Sequence, residues 1–461
     1  MNSFSKRKGF HVLLSLVMVG SLFGTQTPTQ KVSAAGNVPG NLSFVDNNGT
    51  NVISWDGVAN SQGYNVYRST SRYGQYTKIN SSRVYTTSYT DNTATDYYYK
   101  VTSYVNSQES GLSDPISEDI EMFGNNVYVF DPNDSASQVQ SVTTGIWSKQ
   151  ETNQFGTQRY AFLFKPGNYS NQINFKVGYY TQVAGLGKSP TDTTLQSLNC
   201  DARWLGGDSN HNATCNFWRS AENLTVNSNM MWAVSQAVSL RRMKVNGNLY
   251  LHDNGGWASG GFLADSYITG STESGSQQQW LSRNCNWNYW TGQNWNMVFV
   301  GIADGKAPSG TWPNTKYTTV NEAPTVQEKP FLTYDKNSGY SVFVPERRTN
   351  AKGTSWQNGV SGTSVGIDKF YVAKPEKDNA DTINAALKNG KNLILTPGIY
   401  YIDKAIEVTN PDTIVLGLGL ASLMPTNGNS CMNIADVDGV KVAGVLFDAG
   451  TKKFNNIIES W

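Results

Sequence analysis

Two distant stretches of this chain spell out the same order of elements. In the first, Ala161-Phe-Leu-Phe-Lys-Pro166-Gly167-Asn-Tyr169 leads to Phe175-Lys-Val177 and then to Val183-Ala-Gly185-Leu-Gly187. In the second, Asn392-Leu-Ile-Leu-Thr-Pro397-Gly398-Ile-Tyr400 leads to Ile406-Glu-Val408 and then to Val415-Leu-Gly417-Leu-Gly419. Pro166 lies 19 residues before Gly185, and Pro397 lies 20 before Gly417. A unit of this length with short apolar strands cannot bury its apolar face alone. It must stack on its neighbours to share a continuous core.

The residues after the first unit keep the same beat. Glu222–Val226, Arg241–Val245, Asp265–Thr269 and Arg283–Trp287 read as short strands, with Leu224, Met243, Tyr267 and Cys285 facing inward at spacings of 19, 24 and 18. A period near 20 residues predicts an all-β chain with a right-handed parallel β-helix over 121–304. An ordinary sandwich or jelly roll is the alternative. Asp378–Leu387 reads as a helix, with Ile383 and Leu387 on one face and Asp381 near its start, placed to cap a second β-helix. The second β-helix occupies 371–461, and 305–370, rich in Pro, Gly, Lys and Thr, reads as a linker. Only about two coils, Thr413–Gly419 and Met432–Asp448, fit before Trp461. A solenoid ending there exposes unpaired strand edges, so the expectation is an incomplete second β-helix in a chain shortened from a longer protein.

The N-terminus reads as an address. Lys6, Arg7 and Lys8 precede an apolar run from Val12 to Gly24, and Val32-Ser-Ala-Ala35 supplies small residues for cleavage. The run is short of the ~20 residues that a membrane span requires. Residues 1–35 are therefore expected to be a signal peptide, and the mature protein to be secreted, extracellular and free of the membrane. Losing these four basic residues, Lys31 included, and no acid takes the formal net charge from +1 to −3. That balance excludes a nucleic-acid partner by composition. Four Cys and three His give neither a disulfide scaffold nor a metal signature, and no cofactor is expected. Residues 36–120 alternate as a small β-sandwich, through Asn51–Trp55, Gly63–Arg68 and Tyr97–Tyr104. Trp55 is placed in its core and Tyr98 or Tyr99 at a tyrosine corner.

These residues carry two resemblances. Pro39, Ile53-Ser-Trp55, Tyr64-Asn-Val-Tyr67 and Ser110-Gly-Leu-Ser113 resemble a fibronectin type III module of bacterial polysaccharide-degrading enzymes. It implies a spacer with no chemistry. The capping helix, the strand into Pro-Gly-x-Tyr and their duplication resemble the pectate-lyase-like superfamily and, as twin units, glycoside hydrolase family 55. That resemblance implies hydrolysis of a neutral β-1,3-glucan, with inversion, by a Glu general acid presented by the later part of the chain. No position here carries that Glu by motif.

Glycoside hydrolysis needs two carboxyl groups. Glu222, Asp253, Asp265 and Glu273 are the acids in or beside the stacked strands. Asp253 and Asp265 are one coil apart, so they are the pair proposed for catalysis. The alternative is an Asx turn at Asp253 and a backbone cap at Asp265. Sugar binding has a stronger signal. Trp257, Trp280, Trp287, Trp290 and Trp295 cluster with Tyr289 and Arg283 among Gln and Asn side chains. Aromatic faces suit pyranose rings, and amides suit hydroxyls. Cys200 and Cys215 flank a polar loop and are expected as a disulfide in an exported chain, whereas Cys285 and Cys431 read as buried thiols. A non-catalytic glycan-binding or surface protein is the rival reading. A uronate lyase is a third, for which Arg241, Arg242 and Lys244 form the only basic cluster. N-terminal sequencing of the polypeptide recovered from culture medium is expected to begin at Ala35 or Gly36.

Overall fold

A computed structural model describes residues 37–47, 49–93, 97–207, 209–236, 238–453 and 458–460. The proposed leader lies outside them. From Val127 onward the strands coil. Val127–Phe130, Tyr160–Phe164, Thr181–Gly185, Arg219–Val226, Val238–Val245, Gly261–Ala264, Gln279–Arg283, Asn296–Val300 and Tyr317–Val320 form one parallel sheet in chain order. This is the β-helix expected from the period. Its interior stacks Leu224 on Met243. Tyr267 is out of phase by one residue. It pairs with Lys244 and Asn286, while Ile268 turns inward between Val245 and Trp287.

The phase shift has a physical cause at one corner of the coils. Asn223, Arg242, Asp265 and Asn284 all adopt left-handed backbone, with φ of 56°, 49°, 51° and 53°. Each rung turns there, so face alternation does not run through it. Side chains bond up this corner. Arg242 Nε donates to Asn223 Oδ1 at 3.3 Å, and Arg242 Nη1 donates to Asp265 Oδ2 at 2.9 Å.

Both Pro-Gly-x-Tyr motifs do the same structural work. Tyr169 OH donates to the carbonyls of Phe130 (2.8 Å) and Lys165 (3.0 Å). Tyr400 OH donates to those of Ala373 (2.7 Å) and Thr396 (3.2 Å). A Cβ on Gly167 would sit 2.2 Å from Pro132, and one on Gly398 would sit 2.3 Å from Pro375. In each unit the tyrosine thus ties a turn to the strand beneath it, and the glycine lets a proline close over it. Each unit also has a capping helix. The helix Ala380–Lys388 buries Ile383 and Leu387 behind a capping box of Asn379 and Thr382. The helix Ala136–Gln150 buries Val139, Thr143 and Ile146. Its polar sequence hid it from periodicity.

The second β-helix begins at Phe370–Ala373. Its strands Asn392–Leu395, Ile414–Gly417 and Lys441–Ala443 continue that sheet in parallel, and two shorter sheets close the coils. Residues 305–370 are no linker. Ala323–Val326 pairs with Arg348–Ala351, and Phe331–Asp335, Gly339–Pro345 and Gly362–Gly366 form an antiparallel sheet. Alternation in Tyr340-Ser-Val-Phe-Val344 buries Tyr340 and Val342 on one face. That face meets Ala161, Leu163, Ala184 and Leu186 of the first β-helix and Ile394, Ile414, Leu416 and Leu418 of the second in one apolar cluster.

Upstream, two antiparallel sheets pack around Phe44, Ile53, Trp55, Tyr64, Val66, Tyr99 and Val101. Trp55 is in this core as expected. Tyr99 OH does not make a backbone corner: it accepts from Asn51 Nδ2 (2.8 Å) and donates to Asp91 Oδ2 (2.9 Å). Arg72 clamps this sandwich to the first β-helix through the carbonyls of Val127 and Asn125, with its guanidinium 4.5 Å from the Tyr128 ring. Replacing Tyr169 or Tyr400 by Phe removes the hydroxyl's bonds to two carbonyls, of which those of Phe130 and Ala373 keep a backbone N–H donor. Each replacement is expected to lower stability by about 1–3 kcal/mol in denaturant titration, with similar losses in the two units.

Candidate functional site

Two outward-facing rows climb the long sheet of the first β-helix. Gln182 lies beside Ser220, and Ser220 beside Ser239. One step along, Ala184, Glu222, Arg241, Ala264 and Arg283 stack in register. Adjacent strands are about 4.8 Å apart, so polar side chains in a row touch. The segment 327–330 crosses this face. Gly417, Leu420 and residues 440–444 of the second β-helix form the opposite wall. The result is a cleft of about 490 Å³ between the two β-helices.

Its charges are paired. Lys329 Nζ donates to both oxygens of Glu222, at 2.6 and 2.7 Å. Gln182 donates to Glu222 through Nε2 and accepts from the Gly419 N–H at 2.7 Å through Oε1. Arg283 Nη2 donates to Glu328 Oε2 at 2.6 Å, and Arg241 Nη1 lies 3.9 Å from the same oxygen. Burial pulls the Arg241 guanidinium below its usual value, against the pull of Glu328 and Glu222. Glu328 is only 3% exposed, and its Oε1 has no partner among the described residues. An orphaned acceptor of this kind costs free energy unless a ligand or water satisfies it. Paired charges, amides and serines suit a neutral, hydroxyl-rich ligand better than a polyanion.

The proposed acid pair does not assemble. Asp265 occupies the left-handed corner of its coil. It is fully buried, accepts from Arg242, and takes both the N–H and the hydroxyl of Ser355. Burial, reinforced by Glu328, pushes its carboxyl up despite Arg242. Asp253 is also buried. It accepts from the Ala202 N–H at 3.0 Å and faces His211 Nδ1 at 3.0 Å. The two aspartates share no partner among the described contacts, and each fastens a different loop. The Cys200–Cys215 disulfide does not form either. All four cysteines are free thiols. Cys200 points into the core beside Arg219 Nη1 (3.3 Å). The loop it was expected to clip is held by Asp253 and by Asn216, which donates to the Asp201 and Ala233 carbonyls.

The aromatic cluster divides. Trp280, Trp287 and Trp290 are core, and Trp287 packs against Trp290 and Phe299. Trp257, Tyr289 and Trp295 are exposed. Arg283 belongs to the cleft. Arg242 is buried at its corner and committed to Asp265, Ser355 and the Lys188 carbonyl, so it adds no free cation to the basic cluster a lyase would need. Glu222 was among the acids considered, whereas Glu328 and Lys329 fell in the supposed linker and carried no periodic signal.

Residues 370–460 match the LAM55 pectate lyase-like domain family. Over 342 residues, 73% of this chain, the sequence is 49% identical to an exo-beta-1,3-glucanase of Streptomyces sp. (strain SirexAA-E / ActE). The chain spans 55% of that relative's length. The solved structure of sacteLam55A from Streptomyces sp. SirexAA-E aligns at a TM-score of 0.69 with 47% identity, covering 73% of this chain and 61% of that one. A glutamate-to-alanine variant of sacteLam55A, in complex with glucose, aligns at 0.69 with 48% identity, over 73% of this chain and 60% of that one. In the cleft, Lys329→Met would leave Glu222 buried without its cation. We expect a loss of about 3 kcal/mol in denaturant titration, largely restored when Glu222→Gln is added.

Proposed function

We propose, on the premise that the β-helical region is homologous to an exo-beta-1,3-glucanase of glycoside hydrolase family 55 and carries a LAM55 pectate lyase-like domain, that the cleft between the β-helices receives a β-1,3-glucan for hydrolysis. The observation that carries this reading is the cleft itself. It lies where the homologous units face each other, and its carboxylates are balanced by Arg and Lys. The described part of the cleft supplies Glu222 and Glu328 as carboxylates. Both oxygens of Glu222 are engaged by Lys329. Glu328 Oε1 is the cleft's unpartnered acceptor, buried just beneath its lining, where a water or a substrate hydroxyl that displaces the lining would satisfy it. Hydrolysis also requires a proton donor at the leaving oxygen, so binding and cleavage are separable steps here.

The protein works outside the cell in this reading, after removal of residues 1–35. The N-terminal sandwich acts as a fibronectin type III spacer. Its polymeric partner is a neutral glucan, and the chemistry uses no cofactor.

The test is incubation of the purified chain with soluble and insoluble glucans, recording reducing ends and pull-down together. Release and retention are expected with β-1,3-glucan, and Glu328→Gln is expected to reduce retention about tenfold, the loss of roughly one charge-assisted hydrogen bond. Retention without release would make the chain a glucan binder. Release of an unsaturated uronate product from a polyuronate offered in parallel would make it a lyase and end this reading.

A further inference from the structure

Among the described residues, the three most exposed tryptophans are Trp257 (65%), Trp295 (62%) and Trp312 (54%). All three stand at one corner of the first β-helix. Trp257 precedes the strand Gly261–Ala264, Trp295 precedes Asn296–Val300, and Trp312 precedes Tyr317–Val320. Between the first two, Ser276 and Gln278 precede Gln279–Arg283. These strands are successive neighbours in the sheet, so Trp257 and Trp295 sit two coils apart, about 10 Å along the axis. That is close to the length of two pyranose rings.

Trp257 and Trp295 wall an open hollow of about 480 Å³ floored by Gln278 and Asn294. The hollow is built. Gln278 offers its carbonyl to the N–H groups of Trp295 (2.9 Å) and Asn296 (3.1 Å). Its Oε1 accepts from Ser259 at 2.9 Å. Asn294 Nδ2 is spent on the Gly275 and Gln277 carbonyls. No described contact uses Gln278 Nε2 or Asn294 Oδ1. One donor and one acceptor therefore remain unengaged among the described contacts in a hollow that two exposed indoles also line. Among the described residues, no charged side chain lines the hollow. Large apolar rings exposed together mark a binding surface, and the absence of charge selects a neutral ligand.

This hollow is separate from the cleft. Gln278 and Arg283 lie at opposite ends of one strand, about 17 Å apart. On the outer face between them stand Gln279 and Leu281, with Phe262 beside Leu281 in register. We propose that Trp257 and Trp295 form a second glucan-binding platform, which holds a neutral β-glucan chain along the solenoid axis away from the cleft. The inference rests on the glucan reading of the cleft for the choice of polymer, and on its own geometry for the site.

The test measures partition of the full chain onto insoluble β-1,3-glucan for the wild type, Trp257→Ala, Trp295→Ala, the double variant and Trp257→Tyr. Near-UV circular dichroism confirms that each is folded. Each alanine is expected to weaken partition about tenfold, the loss of one stacking face. Tyr at 257 should restore most of it. Affinity for a glucose trimer of the same linkage, governed by the cleft, should not move. Equal partition by the wild type and the folded double variant overturns the platform and leaves the cleft reading intact. Retention on a different neutral glucan, lost with the tryptophans, keeps the platform and overturns the linkage. No retention of the wild type on any neutral glucan overturns the platform.

Discussion

The structure depends on one apolar contact between its two solenoids. A lone β-helix would keep the outer face of its sheet polar. Here Ala161, Leu163, Ala184 and Leu186 face outward and are dry, because Ile394, Leu416 and Leu418 of the second unit cover them, with Leu332 and Val342 filling the seam. Burying such side chains is worth roughly 1.5–3 kcal/mol each, enough to fix two bodies that strand pairing does not join. Everything polar in the cleft is arranged around the edge of this seam. Outward residues that stay apolar make the interface. Where the same rows turn to Glu222, Arg241 and Arg283, the solenoids part and a cleft opens.

The sequence made the architecture legible through two signals. The near-20 period located the coils, and the repeated Pro-Gly-x-Tyr located the two beginnings, at positions the structure explains by Tyr169 and Tyr400 bonding to equivalent carbonyls. It failed where those signals are silent. The left-handed corner at Asp265 breaks alternation, which displaced Tyr267 by one residue and made a structural aspartate look available for catalysis. The antiparallel sheet in 331–366 has no coil period and passed for a linker. The helix 136–150 has too few apolar residues to show its face.

The cleft was harder to read for a related reason. Its groups come from three places: the outer rows of one solenoid, a crossing segment, and the facing wall of the other, which combines the Gly-Leu-Gly turn with residues 440–444. Gln182, Glu222 and Lys329 converge across almost 150 residues of chain, and no local motif encodes that meeting. Trp257 and Trp295, by contrast, were picked out by composition. Only the register separates them from Trp280, Trp287 and Trp290, because alternation sends some rings into the core and leaves others at the corner.

The Gln182 amide joins two matters that are ordinarily independent. One end holds Glu222, and the other holds the backbone N–H of Gly419 in the opposite solenoid. A primary amide is rigid and planar, so its two ends cannot adjust separately. Sliding one solenoid against the other by a fraction of an ångström would rotate the amide and alter what Glu222 feels. The alignment of two large bodies is thereby gauged by a single side chain, and a substitution deep in the seam could be read out at a carboxylate it never touches.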